Sequence, residues 1–256
     1  MEKPLRISPH LAWLEAGDEF PPVTTAHGPQ DAVPGLLAAG GALNVATLVK
    51  AYSNGIFPWF SDGQPILWWS PSPRMVLKTV DFKLHRSLRK SVHHFLSDTT
   101  CSIRFDTAFD RVIKACASKP RAGQRGTWIV PEMVAAYIEL HRAGNAHSVE
   151  TWVGNALVGG LYCVNIGHMV FGESMFAHQT DASKIALTAL VAFCKVQGIS
   201  AIDCQQNTQH LESLGAREIP REAFTQHLQA TLKLTKPVWQ FDKANIELLL
   251  KPEVSQ

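Results

Sequence analysis

Three polar residues stand out in an apolar part of this 256-residue chain: Glu173 in VFGESMF, and Asp203 and Gln205 in SAIDCQ. Residues 170–205 read as an apolar run with one acid, a helix-like segment, and an apolar strand ending on Asp-Cys-Gln. Side chains alternate along a strand, so Asp203 and Gln205 are expected on one face and Cys204 on the other. Glutamine is a poor base. An Asp hydrogen-bonded to it would fix the amide and make its oxygen a better acceptor for an amine proton. The plainer alternative is an Asp–Gln pair that merely closes a strand end. No serine lies in a GxSxG elbow, and Cys204 reads as a small core residue rather than a nucleophile. An acid–amide pair without a nucleophile suits direct attack by an external amine on an already activated acyl group.

Other segments must position these groups. Asn44 is a plausible N-cap for a helix over about 45–54 that Gly55 would end. GIFPWFSDGQPILWWSPSPRMVL follows, where Trp59, Trp68 and Trp69 lie among turn residues and four prolines forbid a continuous helix. These aromatics read either as core plugs or as a stacking surface for a flat ligand. Residues 81–97 predict an amphipathic helix with Leu84, Leu88, Val92 and Phe95 on one stripe. Arg86, Arg89, Lys90 and His93 recur at i, i+3, i+4 and i+7 on another. That basic stripe is either a solvated face or a phosphate-facing patch. A strand near 102–105 precedes Asp106, a candidate N-cap for a helix to about Ala117. Lys119, Arg121 and Arg125 follow, then a helix entered at Pro131 and stopped at Gly144. Three strands come next, then a helix over about 182–196 capped by Thr180 or Asp181, with Lys184 as a solvated or capping lysine. Strand SAIDCQ and helices near 206–214 and 221–234 complete the order.

Composition sets the class. Apolar residues make up 46% and charged residues 18%, which supports a packed core. A net charge of +2 excludes a strongly basic nucleic-acid coat but leaves room for a local patch. Neither a signal peptide nor a membrane-length apolar run is visible. Five scattered cysteines read as reduced thiols in a cytoplasmic protein, and the lack of CxxC and HExxH argues against zinc. A meander followed by helix, strand and helix predicts an α/β fold with a mixed sheet, compatible with an acetyltransferase-like arrangement.

The runs GLLAAGGAL, AYSNGIFPWF, PILWWSPSPR, GTWI, AHSVETW, LVGGLY, FGESMF, ASKIAL, IDCQ and SLGAREIPR span about residues 35–224. In type and order they resemble the leucyl/phenylalanyl-tRNA–protein transferase family. The resemblance implies transfer of Leu or Phe, less readily Met, from aminoacyl-tRNA to the N-terminal Arg or Lys of an acceptor protein. That peptide bond marks the acceptor as an N-degron. It implies a bacterial, cytoplasmic, usually monomeric enzyme that needs no metal or nucleotide cofactor, since the tRNA ester is already activated. It also implies a small N-terminal domain, taken as 1–72, before an acetyltransferase-like catalytic domain, 73–256. Residue by residue, Asp203 and Gln205 match the family's catalytic pair, with Gln205 on the attacking amine and Asp203 orienting it. Glu173 matches the acid that helps hold the amine. Trp59 and Trp128 match aromatics around the 3′-terminal adenosine. Leu161, Val170, Met175, Leu187, Leu190 and Ile202 match the walls of the amino-acid pocket, and Arg86, Arg89 and Lys90 the tRNA-facing helix.

The chain departs from the family pattern at Ala42, where Asp is common, and at Val170 and Cys194, where aromatics are common. The last two reshape the pocket. Two rival readings are a small-molecule N-acetyltransferase and a non-catalytic tRNA-binding protein. The first lacks its pyrophosphate-loop signature here; intact Glu173, Asp203 and Gln205 argue against the second.

Overall fold

The computed structural model describes residues 11–118 and 129–250. In the first part, β1 (Ala12–Leu14), β2 (Leu36–Gly40), β3 (Phe57–Pro58) and β4 (Leu67–Trp69) form a small sheet in the order β1-β2-β4-β3. The helix α1 (Val45–Ser53) starts where its sequence says: Asn44 accepts the Thr47 amide at 2.9 Å, and Gly55 takes φ +73 just past the end. The seven-stranded sheet follows, built from β5 (Arg74–Lys78), β6 (Cys101–Phe105), β7 (Ala146–Val153), β8 (Ala156–Ile166), β9 (Met169–Ala177), β10 (Ala201–Gln205) and β11 (Arg217–Ile219). Its order is β11-β5-β10-β9-β8-β7-β6. Every pairing is antiparallel except β9–β10, so the sheet has mixed directions as expected.

Alternation along β8 divides the interior. Leu161 and Cys163 point into one apolar cluster, Tyr162 and Val164 into the other. The first cluster is covered by α2 (Arg86–Ser97), α5 (Ala182–Val196) and α8 (Lys243–Leu250). The second is covered by α1, α3 (Phe109–Ser118), α4 (Pro131–Arg142) and α7 (Arg221–Thr231), and it also takes in Leu37, Trp68 and Trp69 from the small sheet. The small sheet therefore shares its core with one face of the large one. α5 seats closely on β8 because Gly159 carries no Cβ; one placed there would meet the Ala182 Cβ at 2.5 Å.

Several expectations need correction. Asp81 ends a 3-10 turn (Thr79–Asp81) and residues 82–85 are not helical: Lys83 donates its amide to Leu214 O at 2.9 Å and the His85 ring bonds Ser213 O at 2.6 Å, so this stretch docks on the segment before β11. Asp106 is not an N-cap. Its φ is +57 and its carboxylate takes the Ser148 amide at 2.8 Å and the His147 ring at 2.7 Å. The helix after it begins at Phe109 instead. Asp181 holds the N-cap position of α5 at φ +62 and its carbonyl takes the Ile185 amide at 2.9 Å, but its side chain bonds Ser91 and Lys184 in place of a capping amide. The predicted helix near 206–214 is the short α6 (Gln209–Ser213), capped by Thr208. Strands β5 and β11 were not anticipated.

Candidate active site

The two acids and the amide meet where β9 and β10 part. These parallel strands pair only at Ile202↔Val170 and Asp203↔Phe171. Beyond that point both are irregular. The β8–β9 register shifts so that Glu173 is the extra residue, and the β10–β5 register shifts so that Cys204 is. Bulges of this kind re-aim side chains beside sites. Gln205 takes φ +57, so simple alternation does not describe the strand end.

Glu173 is the hub. Its Oε1 accepts the Tyr52 hydroxyl at 2.7 Å and the Gln205 Nε2 amide at 3.0 Å, and its Oε2 lies 3.3 Å from the Tyr137 hydroxyl. The two tyrosine hydroxyls also bond each other. With the Tyr52 proton given to Glu173, the single Tyr137 proton is shared between the Tyr52 oxygen and Oε2. Tyr52 and Tyr137 are fully buried, and the acid they enclose is only half-buried as a residue. Burial pushes the Glu173 carboxyl up to about 7; the Tyr52 hydrogen bond opposes the rise and the Asp203 charge adds to it. Burial and the neighbouring Glu173 push both tyrosines well above their ordinary value, so both stay neutral and protonated.

Asp203 has a different partner from the one expected. Arg74 grips it with two bonds, Nε to Oδ1 at 2.8 Å and Nη2 to Oδ2 at 2.6 Å. The pair is almost dry, with side chains 1% and 0% exposed. Arg74 also donates to Gly55 O at 3.1 Å, and its guanidinium sits 4.8 Å from the Phe57 ring centroid and 4.6 Å from that of Phe224. Asp203 reaches Gln205 through the backbone, accepting its amide at 3.0 Å. The Gln205 side-chain nitrogen is held by Glu173, not by Asp203. Asp203 thus anchors the bulge while Glu173 orients the amide. Cys204 is half-buried, and burial pushes its thiol up to about 12, which keeps it from acting as a thiolate.

The six apolar residues matched to pocket walls come together, but not between the polar groups. Leu161, Val170, Leu187, Leu190 and Ile202 are each 5% exposed or less and belong to the cluster under α5. Met175, half-buried, packs on that cluster and pairs with Leu161 across β8–β9. Glu173 and Asp203 bond Tyr52, Tyr137 and Arg74 on the opposite face. The two sets are neighbours across the β9–β10 parting, where Ile202 and Val170 form the last apolar pair before the polar network.

Trp59 is half-buried, with its ring centroid 5.3 Å from that of Trp69, whose indole donates to Trp59 O at 2.6 Å. Trp68 is wholly buried and bonds Gly40 O. Trp128 lies outside the described residues, as do Lys119, Arg121 and Arg125. On α2, Arg86 and Lys90 are exposed, whereas Arg89 is half-buried and donates to Leu250 O at the end of α8. Sequence reasoning missed Tyr52, Arg74 and Tyr137. The signal for Arg74 is general: an arginine inside an apolar strand demands a buried carboxylate.

Comparison with known proteins gives the family. Residues 76–229, which include Arg74's strand partners and the whole Glu173–Asp203–Gln205 set, match the family profile described as leucyl/phenylalanyl-tRNA protein transferase. Residues 41–72, which include Tyr52 and Trp59, match the N-terminal domain of the same family. A leucyl/phenylalanyl-tRNA–protein transferase of Polaromonas sp. is 67% identical over 243 residues, covering 95% of each chain. One of Albidiferax ferrireducens is 57% identical over 245 residues, covering 96% of each. Among solved structures, a GCN5-related N-acetyltransferase from Kribbella flavida overlaps at TM-score 0.32 and 7% identity, covering 65% of this chain and 58% of that one, too slight a likeness to argue from. With identity of this order over nearly the full length of both chains, the chain belongs to the leucyl/phenylalanyl-tRNA–protein transferase family.

Proposed function

We propose that this enzyme transfers Leu or Phe, and less readily Met, from aminoacyl-tRNA to the N-terminal Arg or Lys of acceptor proteins, in the bacterial cytoplasm and as a monomer. The product is an N-degron. The observation that carries the chemistry is the Glu173–Gln205 bond. With the Gln205 nitrogen committed to Glu173, its carbonyl oxygen is left to accept an N–H of the incoming α-amine. The amine nitrogen attacks the ester carbonyl, the C–N bond forms, and the C–O bond to the terminal ribose breaks. A proton leaves the amine and one reaches the departing ribose oxygen. A carboxyl with a pKa near 7 is suited to hold the amine and to take part in that exchange near neutral pH. Asp203 and Arg74 act one step back by fixing the bulge that presents Gln205. Tyr52 and Tyr137 hold Glu173.

Trp59, with Trp128, stacks the 3′-terminal adenosine, and Arg86 and Lys90 meet RNA phosphates, with Arg89 as a link to α8. The six apolar residues select the amino-acid side chain from beneath the β9–β10 parting. Since a methylene in such a pocket is worth only about 1–3 kcal/mol, tolerance among Leu, Phe and Met follows. Residues 1–72 serve as the small domain and 73–256 as the catalytic one; the change of sheet between β4 and β5 supports that division, and Tyr52 ties the two at the site. No helix among the described residues is long and apolar enough to cross a membrane. The test is incubation with radiolabelled Leu-tRNA and a protein bearing N-terminal Arg, with and without ribonuclease. Transfer that ribonuclease abolishes supports the proposal; tRNA binding without transfer, or acetyl-CoA turnover, refutes it.

A further inference from the structure

A second cluster of cations lies outside this site, at the β6 edge of the large sheet. Arg104 of β6 and Arg111 of α3 both lay their guanidinium groups over the Trp152 ring, 4.6 Å and 4.8 Å from its centroid. The indole is fixed from below. It is 5% exposed, and its Nε1 donates to Glu150 Oε2 at 3.1 Å. Glu150 is wholly buried and spends its remaining capacity on Ser148 Oγ at 2.8 Å, the Ala108 amide at 2.7 Å and the Thr107 hydroxyl. The guanidinium groups therefore rest on an indole anchored by a buried, fully hydrogen-bonded carboxylate. They border a cavity of about 390 Å³.

The unspent guanidinium N–H groups there suit an anion. Neither Arg104 nor Arg111 makes an ion pair among the described residues, and Arg104 spends only its Nε, on Ser102 Oγ at 3.2 Å. Three acids lie close by: Asp106 is bonded to His147 and the Ser148 amide, Glu150 is buried beneath the indole and faces Arg104 across the strands, and Asp110 is exposed beside the two guanidinium groups. Lys114, one turn beyond Arg111 on α3, is exposed and extends the row. Arginines pre-stacked on an aromatic ring have lost their side-chain freedom before any ligand arrives, and their unspent N–H forks match phosphate oxygens. A row of cations on a strand and a helix suits a sequence of phosphates better than one small ion.

We infer that Arg104 and Arg111, held on Trp152, form a second phosphate-binding point for the RNA backbone of the aminoacyl-tRNA. It lies on the α3 face of the sheet, whereas Arg86 and Lys90 lie on the α2 side, so RNA passing the β6 edge meets cations from both. This inference rests on the proposed use of aminoacyl-tRNA.

The test compares wild type with Arg111→Gln, Arg104→Gln and the double variant, measuring Leu-tRNA binding by filter retention across a salt series. Expected is a several-fold weaker Kd at low salt and a log–log salt slope shallower by about 0.7–0.9 per lost phosphate contact, with kcat at saturating tRNA unchanged. Thermal unfolding shows whether each variant folds; Arg111 is exposed, so Arg111→Gln keeps the Trp152 platform covered by Arg104 even if the double variant does not fold. An unchanged Kd and slope in a folded Arg111→Gln overturns the inference. So does a rise in KM for the acceptor protein with tRNA binding intact, which would assign the cluster to an acidic protein segment. Inorganic phosphate at matched ionic strength is the last arm. Competition with tRNA in wild type that is weakened in the variants supports the inference; phosphate binding to the cluster without any effect on tRNA overturns it. Wild type that fails to bind tRNA at all sinks the parent reading; wild type that binds while the variants match it sinks this one alone.

Discussion

Replacing Glu173 by Gln should stabilise the protein at alkaline pH while removing its activity. The native carboxyl has its pKa raised from 4.5 to about 7, chiefly by burial. The folded state therefore holds a proton that the unfolded chain gives up between those values, so this group's contribution to stability falls as pH rises from about 4.5 to about 7. The penalty is absent below 4.5 and complete above about 7. At about 1.36 kcal/mol per pKa unit, it amounts to about 1 kcal/mol at pH 5 and about 3 kcal/mol at pH 8. A Gln there does not titrate. It keeps an oxygen for Tyr52 and Gln205 and turns an NH₂ toward the Tyr137 hydroxyl, which can accept. Urea unfolding of both proteins at pH 5 and pH 8 reads the effect through the midpoint at constant slope. The gap between variant and wild type should shift by about 2 kcal/mol in the variant's favour on going from pH 5 to pH 8. Transfer activity should be lost at both. A gap that does not change with pH, or a variant as active as wild type, would show that Glu173 is neither the perturbed acid nor part of the reaction.

Four further outcomes follow from the same geometry. Asp203→Ala strands the dry Arg74 guanidinium and should cost about 3–5 kcal/mol in denaturant unfolding, whereas Gln205→Ala should abolish transfer with little loss of stability or tRNA affinity. Arg86→Ala with Lys90→Ala should weaken tRNA binding and flatten its salt dependence by about 0.7–0.9 per phosphate, with no change in unfolding temperature. Gly159→Val places a Cβ 2.5 Å from the Ala182 Cβ and 2.9 Å from its carbonyl carbon, so it should push α5 off β8 and lower the unfolding temperature measurably.

How much was legible in the chain depends on whether local chemistry decides. α1, α4 and α5 have their signals in sequence: Asn44 as a cap, Pro131 in a first turn, Gly198 at φ +72 after the last turn. The meander and the mixed sheet were readable from alternation and turns. β5 was not. It follows a proline-rich run and contains a charge, Arg74, that only a tertiary partner explains. The site residues on β9 and β10 were legible by type, but their geometry was not, because period-2 alternation assumes a regular ladder. Glu173 and Cys204 are each the extra residue of a bulge, and the side-chain hydrogen bonds run Glu173–Gln205 and Arg74–Asp203 in place of a side-chain bond between Asp203 and Gln205. Tyr52 and Tyr137 are far from Glu173 in sequence, and nothing local distinguishes them from core tyrosines. Arg89 lies on the basic stripe by periodicity, yet the tail's α8 takes up one of its donors.

The most direct measurement is mass analysis of a short peptide with N-terminal Arg after incubation with the protein and Leu-tRNA. The account predicts a gain of one leucine residue at the N-terminus, no gain when that amine is blocked beforehand, and no gain with Gln205→Ala. An unmodified peptide in the presence of bound, intact Leu-tRNA, or modification of the blocked peptide, would contradict it.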